Sequence, residues 1–368
     1  MRIKIITRHA VVNYGSILQS FATEKFFESL GYETEIIDYV SDKETVRGRV
    51  KVFSNNYTHN PLKKWIYRIV KFPDEWIKER RFHRFRREML HLTPRFRSPE
   101  ELQAHDFGDD LLCAGSDQVW GYMGDGSVDP AYFLDFGGSG NRYFSYSASF
   151  GRDDFPEAYY DSITPLLKKF SFITVREKSG EDLLRAHASL PAVTILDPTL
   201  MLDRDTWFEF ADQKIKSAPY ILVYKLRKNK ELDAYAKALA KRKHCKILKI
   251  SSSVYDWLGY GKKEILKDPR RVLSLFRNAA AVVTDSFHAT VFSIVFNRQF
   301  VDFLPPKTYK RITDLLQMLG LEERIRYGEE DPMEKPIDWE RVNQFLTGAR
   351  EQATAYVMEQ LKAMEEQK

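Results

Sequence analysis

Short apolar runs of strand-like composition alternate with amphipathic helical stretches along both halves of the chain. That alternation restricts the fold to an α/β architecture, with helices packed on parallel sheets. Ile3 to Thr7 alternates as a first strand. Ser16 to Leu30 carries Ile17, Leu18, Phe21, Phe26, Phe27 and Leu30 on one helical face, Gly31 ends the helix, and Thr34 to Tyr39 returns as a second strand. The opening is therefore a βαβ unit whose first loop, His9 to Gly15, stands at the height where such units hold ligands. A dinucleotide fingerprint needs three glycines where this loop has Gly15 alone, so Asp38 reads as a strand-end polar residue and not as a ribose ligand. The alternation continues through strands at Asp110–Gly115, Arg142–Ser149, Phe172–Val175 and Val193–Leu196. After a helix and connector at about Arg204–Ala218 it repeats, with strands at Tyr220–Lys225, Lys246–Ile250, Val282–Thr284 and Gln299–Phe303. A chain of 368 residues exceeds one ordinary core. The expected division is a domain at 1–210, a second at 211–338, and a long amphipathic helix over 339–368 that could reach back across both.

Hydrophobic residues at 43% and charged residues at 30% exclude a disordered or fibrous chain. Cys113 and Cys245 both lie in apolar strand-like runs, so neither a disulfide framework nor a zinc site is indicated, and a reducing cytoplasm fits. No metal and no cofactor is expected. The N-terminal MRIKIITRH reads as a strand without a signal-peptide core. The longest nearly apolar run contains Asp285 and His288, which argues against a transmembrane helix. A basic, aromatic, helical segment interrupts the first half at about 41–99, and residues 61–97 hold 12 Lys/Arg against 4 Asp/Glu. Such a segment reads as a helical hairpin with its aromatics turned inward, or as a patch that touches anionic lipid on the inner membrane face. No nucleic-acid-binding fold accompanies it, so no nucleic-acid partner is expected.

Polar turns at strand ends supply the candidate site. In Ala281 to Phe296, AVVTDSFHATVFSIVF, a strand breaks at Thr284-Asp285-Ser286 and resumes with helical spacing. Asp285 or Thr284 is expected to cap the helix, whose first-turn N–H groups favour an anion. His288 in that turn is expected to be neutral in an empty site and to gain a proton when an anionic ligand arrives, unless it only packs or caps. Ser116-Asp117-Gln118 follows another strand, where Asp117 is either a base or hydroxyl-orienting group, or a turn-forming aspartate. Arg176 stands on a strand-to-helix turn from which an arginine can clamp a carboxylate or phosphate, ahead of a helix that Ser179 and Asp182 would open as a capping box. Asp197 lies at the end of the next strand.

Five stretches, in this order and spacing, resemble the polysaccharide pyruvyl transferase family: Asn13-Tyr14-Gly15-Ser16-Ile17-Leu18-Gln19-Ser20, Ala114 to Trp120, Ser147-Ala148-Ser149-Phe150-Gly151, Val175 to Ser179 with Asp197-Pro198, and Thr284 to Thr290. The resemblance implies two Rossmann-like domains facing a cleft, similar to the GT-B glycosyltransferases. It implies transfer of pyruvate from phosphoenolpyruvate onto a sugar, as a ketal, in cell-surface polysaccharide biosynthesis, with a sugar or lipid-linked oligosaccharide as acceptor. His288, Asp117 and Arg176 match its catalytic positions. Asn13, Tyr14, Gly15, Gln19, Ser116 and Gln118 are the expected substrate contacts of the first domain, with Asp197. Those of the second domain are Lys225, Asp285 and Ser286. Characterised members resemble Arg-x-His at the histidine motif, whereas Ser286 holds the arginine's place here. Lys225 at a strand end is the expected replacement cation. A GT-B glycosyltransferase using a nucleotide sugar and a non-catalytic carbohydrate-binding relative are the alternative classes.

Overall fold

The computed structural model describes residues 2–122, 127–152, 154–213, 219–256, 259–304, 310–328 and 330–366. The first sheet contains β1 (Arg2–Ile6), β2 (Glu33–Ile36), β3 (Leu111–Ala114), β4 (Arg142–Ser145) and β5 (Phe170–Phe172), in the order β2-β1-β3-β4-β5. A small pair, β6 (Thr174–Val175) and β7 (Val193–Thr194), follows it. The second sheet contains β8 (Tyr220–Tyr224), β9 (Lys246–Ser251), β10 (Lys262–Ile265), β11 (Ala281–Thr284) and β12 (Phe300–Asp302), in the order β10-β9-β8-β11-β12. Every strand pairing among the described residues is parallel. The central strands LLCA, YILVY and AVVT are buried along their whole length. Parallel strands covered by helices on both faces need this, which is why they appear in the sequence as unbroken apolar runs.

In each sheet the chain leaves a central strand in one direction and later returns on its other side, between β1 and β3 and between β8 and β11. These are the points where open parallel sheets leave a crevice beyond the strands' carboxyl ends. The helix α1 (Tyr14–Ser29) starts at the first of them, capped by Asn13, whose side chain accepts from the Gly15 N–H at 2.8 Å. It is buried on nearly every side because it lies between the domains. Phe21 stacks on Phe210, and the Tyr14 hydroxyl donates to the Lys267 carbonyl at 2.9 Å.

The basic segment forms a hairpin of α2 (Val46–Tyr57) and α3 (Pro61–Met89). Near its end α3 sends Phe82, Phe85 and Met89 into the main core. At mid-helix the fully buried Asp74 accepts from the Ser253 hydroxyl and from the Val254 N–H at 2.9 Å, tying the helix to the second domain. The outer part does not turn its aromatics inward as expected, for Trp65, Phe72 and Trp76 are exposed. Only the turns of α3 from Ile77 onward join the core, so Trp65, Phe72 and Trp76 stay outside it, while Tyr67 stacks on Tyr57.

The closing helix, Trp339–Glu366, crosses from one domain to the other. Arg341 donates to the Gly320 carbonyl at 3.1 Å in the second domain, and Arg350 to the Leu200 carbonyl at 2.6 Å in the first. Tyr356 meets Phe172 edge-on, and Arg142 donates to the Met364 carbonyl. Cys113 is buried in β3 and Cys245 precedes β9, both as free thiols. Among the described residues no helix is long and apolar enough to cross a membrane.

Candidate functional site

The two crevices face one another across a cleft of about 280 Å³. Arg8, Asn13, Ser16, Asp117 and Gln118 line it from the first domain, and Arg227, Asp285, Ser286, His288 and Arg311 from the second.

Backbone pairing sets the polar groups of the first domain side by side. Ala148 bridges both Asp117 and Val175, and Val175 pairs with Thr194. The turns after β3, β4, β6 and β7 therefore converge. Asp117 adopts the left-handed conformation, with φ of 72°, and its Oδ1 accepts from the Gln118 N–H at 2.9 Å. Its Oδ2 accepts from the Ser16 hydroxyl at 2.6 Å. Asp117 is thus a turn-forming aspartate and a cleft residue at once. Arg176 Nη1 donates to Asp197 Oδ2 at 2.8 Å, and its guanidinium lies 4.5 Å from the Phe287 ring centroid. Its Nε is ion-paired with Glu177 Oε2 at 3.5 Å, though neither Nε nor Nη2 has a hydrogen-bond partner among the described residues. Asp197 also caps the short helix Pro198–Met201, accepting from the Thr199 N–H at 2.9 Å.

His288 opens the second domain's helix Phe287–Val295. Its Nε2 is 3.9 Å from Asp197 Oδ2 and has no hydrogen-bond partner among the described residues. Its other ring edge lies against Gly15, where a Cβ would come within 2.2 Å of His288 Nδ1. Arg311, on the helix Lys310–Leu319, lies 5.6 Å from the Phe287 ring centroid and also leaves its Nε without a partner among the described residues.

Burial opposes the charge on Asp117, but Arg176, His288 and the Ser16 hydroxyl outweigh it and hold the carboxyl down at about 2. Burial lowers His288 below the ordinary imidazole value. Asp197 and Asp117 oppose that shift, while Arg176 and Arg311 reinforce it, so the empty site favours the neutral ring. Burial, with Arg176 close by, brings Arg311 down to about 10, which still leaves it cationic at neutral pH. Two guanidinium groups beside one aromatic ring, with N–H donors unsatisfied, describe a site that an anion would complete.

Asn13, Asp117, Gln118, Asp285, Ser286 and His288 line the cleft as expected, Arg176 and Asp197 stand beside them, and Gly15 forms the surface under the imidazole. Others serve the framework. Tyr14 is packed between Phe82 and Tyr224. The Gln19 amide donates to Thr7 Oγ1 and the Ser16 carbonyl, and the Ser116 carbonyl accepts from Thr7 Oγ1. Lys225 does not supply the missing cation, because its ammonium is held 2.6 Å from both oxygens of Asp233. Asp285 does not cap its helix but accepts from the Leu226 N–H at 2.7 Å, drawing the turn after β8 toward the cleft. Thr284 Oγ1 accepts from the Ser286 N–H at 3.0 Å, and Ser286 occupies the cap position without a side-chain bond to the helix. The Ser179–Asp182 capping box does not form: the helix starts at Lys178, and the Ser179 N–H donates to Asp314 of the second domain at 3.2 Å.

Sequence reasoning missed Arg8, Arg227, Arg311 and Glu177. Glu177 Oε1 accepts from the Ser149 hydroxyl at 2.7 Å and the Phe150 N–H at 3.0 Å, holding the turn after β4. Arg8 lies two residues past the end of β1, a strand-end position that is a usable signal. Arg311 lies in an ordinary amphipathic helix, and nothing local marks it.

A family model described as polysaccharide pyruvyl transferase matches residues 13–305. No curated protein sequence matches the chain. Among solved structures, a putative UDP-N-acetylglucosamine 2-epimerase from Listeria monocytogenes is similar at a TM-score of 0.53 and 10% identity, covering 100% of this chain and 98% of its own. The S. aureus MnaA–UDP co-structure is similar at 0.50 and 10% identity, covering 98% and 97%. These likenesses show the fold, two facing domains of the GT-B type.

Proposed function

Since the chain belongs to the polysaccharide pyruvyl transferase family and is a transferase, we propose that it moves pyruvate from phosphoenolpyruvate onto two hydroxyls of a sugar as a ketal, in the biosynthesis of a cell-surface polysaccharide. The observation that carries the donor assignment is the pair Arg176 and Arg311, whose unsatisfied N–H groups flank Phe287 beside His288. Phosphoenolpyruvate brings a carboxylate and a phosphate, and each needs a cation in a cleft that excludes water. Arg311 takes the part left open by Ser286.

In this reading one acceptor hydroxyl oxygen bonds to C2 of the enol as C3 gains a proton and becomes a methyl group. The second hydroxyl then displaces phosphate from C2 and closes the ketal. The two hydroxyl protons end on C3 and on the departing phosphate. His288 is neutral in the empty site and is driven toward imidazolium when the donor's charge arrives, so it is the group that delivers the proton. A carboxylate held at about 2 is too weak a base to remove a hydroxyl proton efficiently at neutral pH. Asp117 instead stabilises the imidazolium and orients the Ser16 hydroxyl.

Calorimetry with phosphoenolpyruvate tests the donor. Arg311→Ala and Arg176→Ala are each expected to weaken binding about 10–100-fold, the effect of losing a charge-assisted hydrogen bond. Ser286→Arg is expected to tighten it. If the unaltered protein gives no heat with phosphoenolpyruvate but binds a UDP-sugar, the nucleotide-sugar reading replaces this one.

A further inference from the structure

We propose that the outer half of the α2–α3 hairpin docks on an anionic lipid bilayer and turns the substrate cleft toward that surface. Leu62, Trp65, Ile69, Phe72 and Trp76 follow one another at alternating three- and four-residue steps, so they form one stripe along α3, about 21 Å long at the helical rise. They are 65%, 60%, 52%, 41% and 46% exposed. Ile66 and Val70 widen the stripe, and Val52, Phe53 and Tyr57 of α2 are exposed as well. A contiguous apolar face of this kind, left open on a folded protein, marks an interaction surface.

The charges around it decide what covers it. Residues 46–73 contain seven Lys/Arg and no Asp/Glu; Arg49 and Lys71 are ion-paired with Glu75, Glu79 and Asp74 beyond that stretch, so Arg47, Lys51, Lys63, Lys64 and Arg68 carry the patch. A symmetric contact with a second copy would set this patch against itself, cation facing cation, with no acid in the tip to separate them. An anionic bilayer instead offers headgroups to the lysines and arginines and an acyl boundary to the tryptophans and aliphatics. The support is firm: Asp74 is held by Ser253 and Val254, and Phe82 and Phe85 are in the core, so a docked hairpin orients both domains. A groove of about 400 Å³ beneath the hairpin is lined by Val52, Phe53 and Arg49 on one side and Tyr122 on the other, and it shares Arg8 and Val11 with the cleft. It runs from the exposed apolar residues of α2 to the candidate site, a path for an acceptor borne on lipid. The groove's role rests on the transferase reading; the docking does not.

The test is co-sedimentation of the full chain with phosphatidylcholine–phosphatidylglycerol vesicles and with phosphatidylcholine vesicles, with the fold of each variant checked by thermal melting. The unaltered protein is expected to bind the anionic vesicles, and Trp65→Ala/Ile69→Ala to lose about tenfold or more of that affinity. Lys63→Gln/Lys64→Gln is expected to weaken binding and to flatten its salt dependence. Equal binding to both vesicle types, or binding indifferent to the apolar substitutions, overturns the dock. So does a dimer in sedimentation velocity that Trp65→Ala/Ile69→Ala dissociates, since a second copy then covers the face. Turnover supplies the other arm: the apolar variant should keep activity on a soluble acceptor and lose it on a vesicle-borne one. Loss of binding with unchanged turnover on the vesicle-borne acceptor overturns the groove assignment alone. Absence of pyruvyl transfer to either acceptor defeats the transferase reading while vesicle binding still judges the dock.

Discussion

Gly15 and His288 are joined in a way that neither residue's own segment reveals. In a helix, replacing glycine with alanine ordinarily stabilises by about 1 kcal/mol. Here the added methyl would lie 2.2 Å from His288 Nδ1, so the imidazole must move. Gly15→Ala is therefore expected to lower turnover about 100-fold, approaching the loss in His288→Asn, while binding of phosphoenolpyruvate to the arginine pair changes much less. Steady-state kinetics beside calorimetry separates the two effects. Near-normal turnover in Gly15→Ala would mean that the imidazole's position against α1 is immaterial to catalysis.

At the scale of the element, α1 is a helix whose polar residues are buried along with its apolar ones, because it is covered by both domains. Glu24 shows the consequence. Its side chain is fully buried and accepts from the His91 N–H at 3.0 Å, and burial pushes the carboxyl up to about 8, against the pull of that hydrogen bond. A folded-state value raised above the ordinary 4.5 means that the folded chain holds a proton the unfolded chain has released. The stability tied to that proton is present below the unfolded value and declines as pH rises through the window up to about 8. Glu24→Gln removes the titration but keeps an acceptor for His91. The variant is expected to be more stable than the parent by about 4 kcal/mol at the upper end of the window, with the difference shrinking toward about pH 5. Urea denaturation across this range checks it, and parallel stability curves for the two proteins would refute it.

For the whole molecule, the two sheets share one core while each keeps a smaller cluster of its own on the opposite face, around Ile6, Leu112 and Ala114 in the first and Ile221, Val223 and Val283 in the second. One apolar cluster runs from Ile5 and Cys113 in the first sheet through α1 to Val282 and Phe292 in the second domain, and the closing helix adds Val342, Leu346, Val357 and Leu361 to it. Leu361 is fully buried at the first-domain end of that helix. Leu361→Ala should cost about 2–5 kcal/mol, the usual range for a leucine truncated in a packed core. Because the cluster is continuous, both domains should melt in one shifted transition, by circular dichroism and by tryptophan fluorescence alike. Two separated transitions in the variant would show that the helix stabilises only the domain it ends on.

Much of this protein was legible from periodicity and turn chemistry alone. Parallel strands buried on both faces need unbroken apolar runs, and turns at their carboxyl ends need polar residues, so β1, β3, β8 and β11 and the positions of Asp117, Arg176, Asp197 and His288 could be read before any coordinate. Local sequence holds no record of which strand-end group finds a partner on the way. Lys225 stands at a strand end but is held by Asp233, and Tyr14, at the end of a motif loop, turns away to join the domains. Nor does an amphipathic helix state what lies beyond its polar face, so the Arg311 guanidinium came to light only when the second domain was seen to bring it beside Phe287. The outer half of α3 carries the same lesson in reverse. Its apolar spacing was plain in the sequence, but whether a core lies against that face is a long-range fact, and the tertiary structure left it open to solvent.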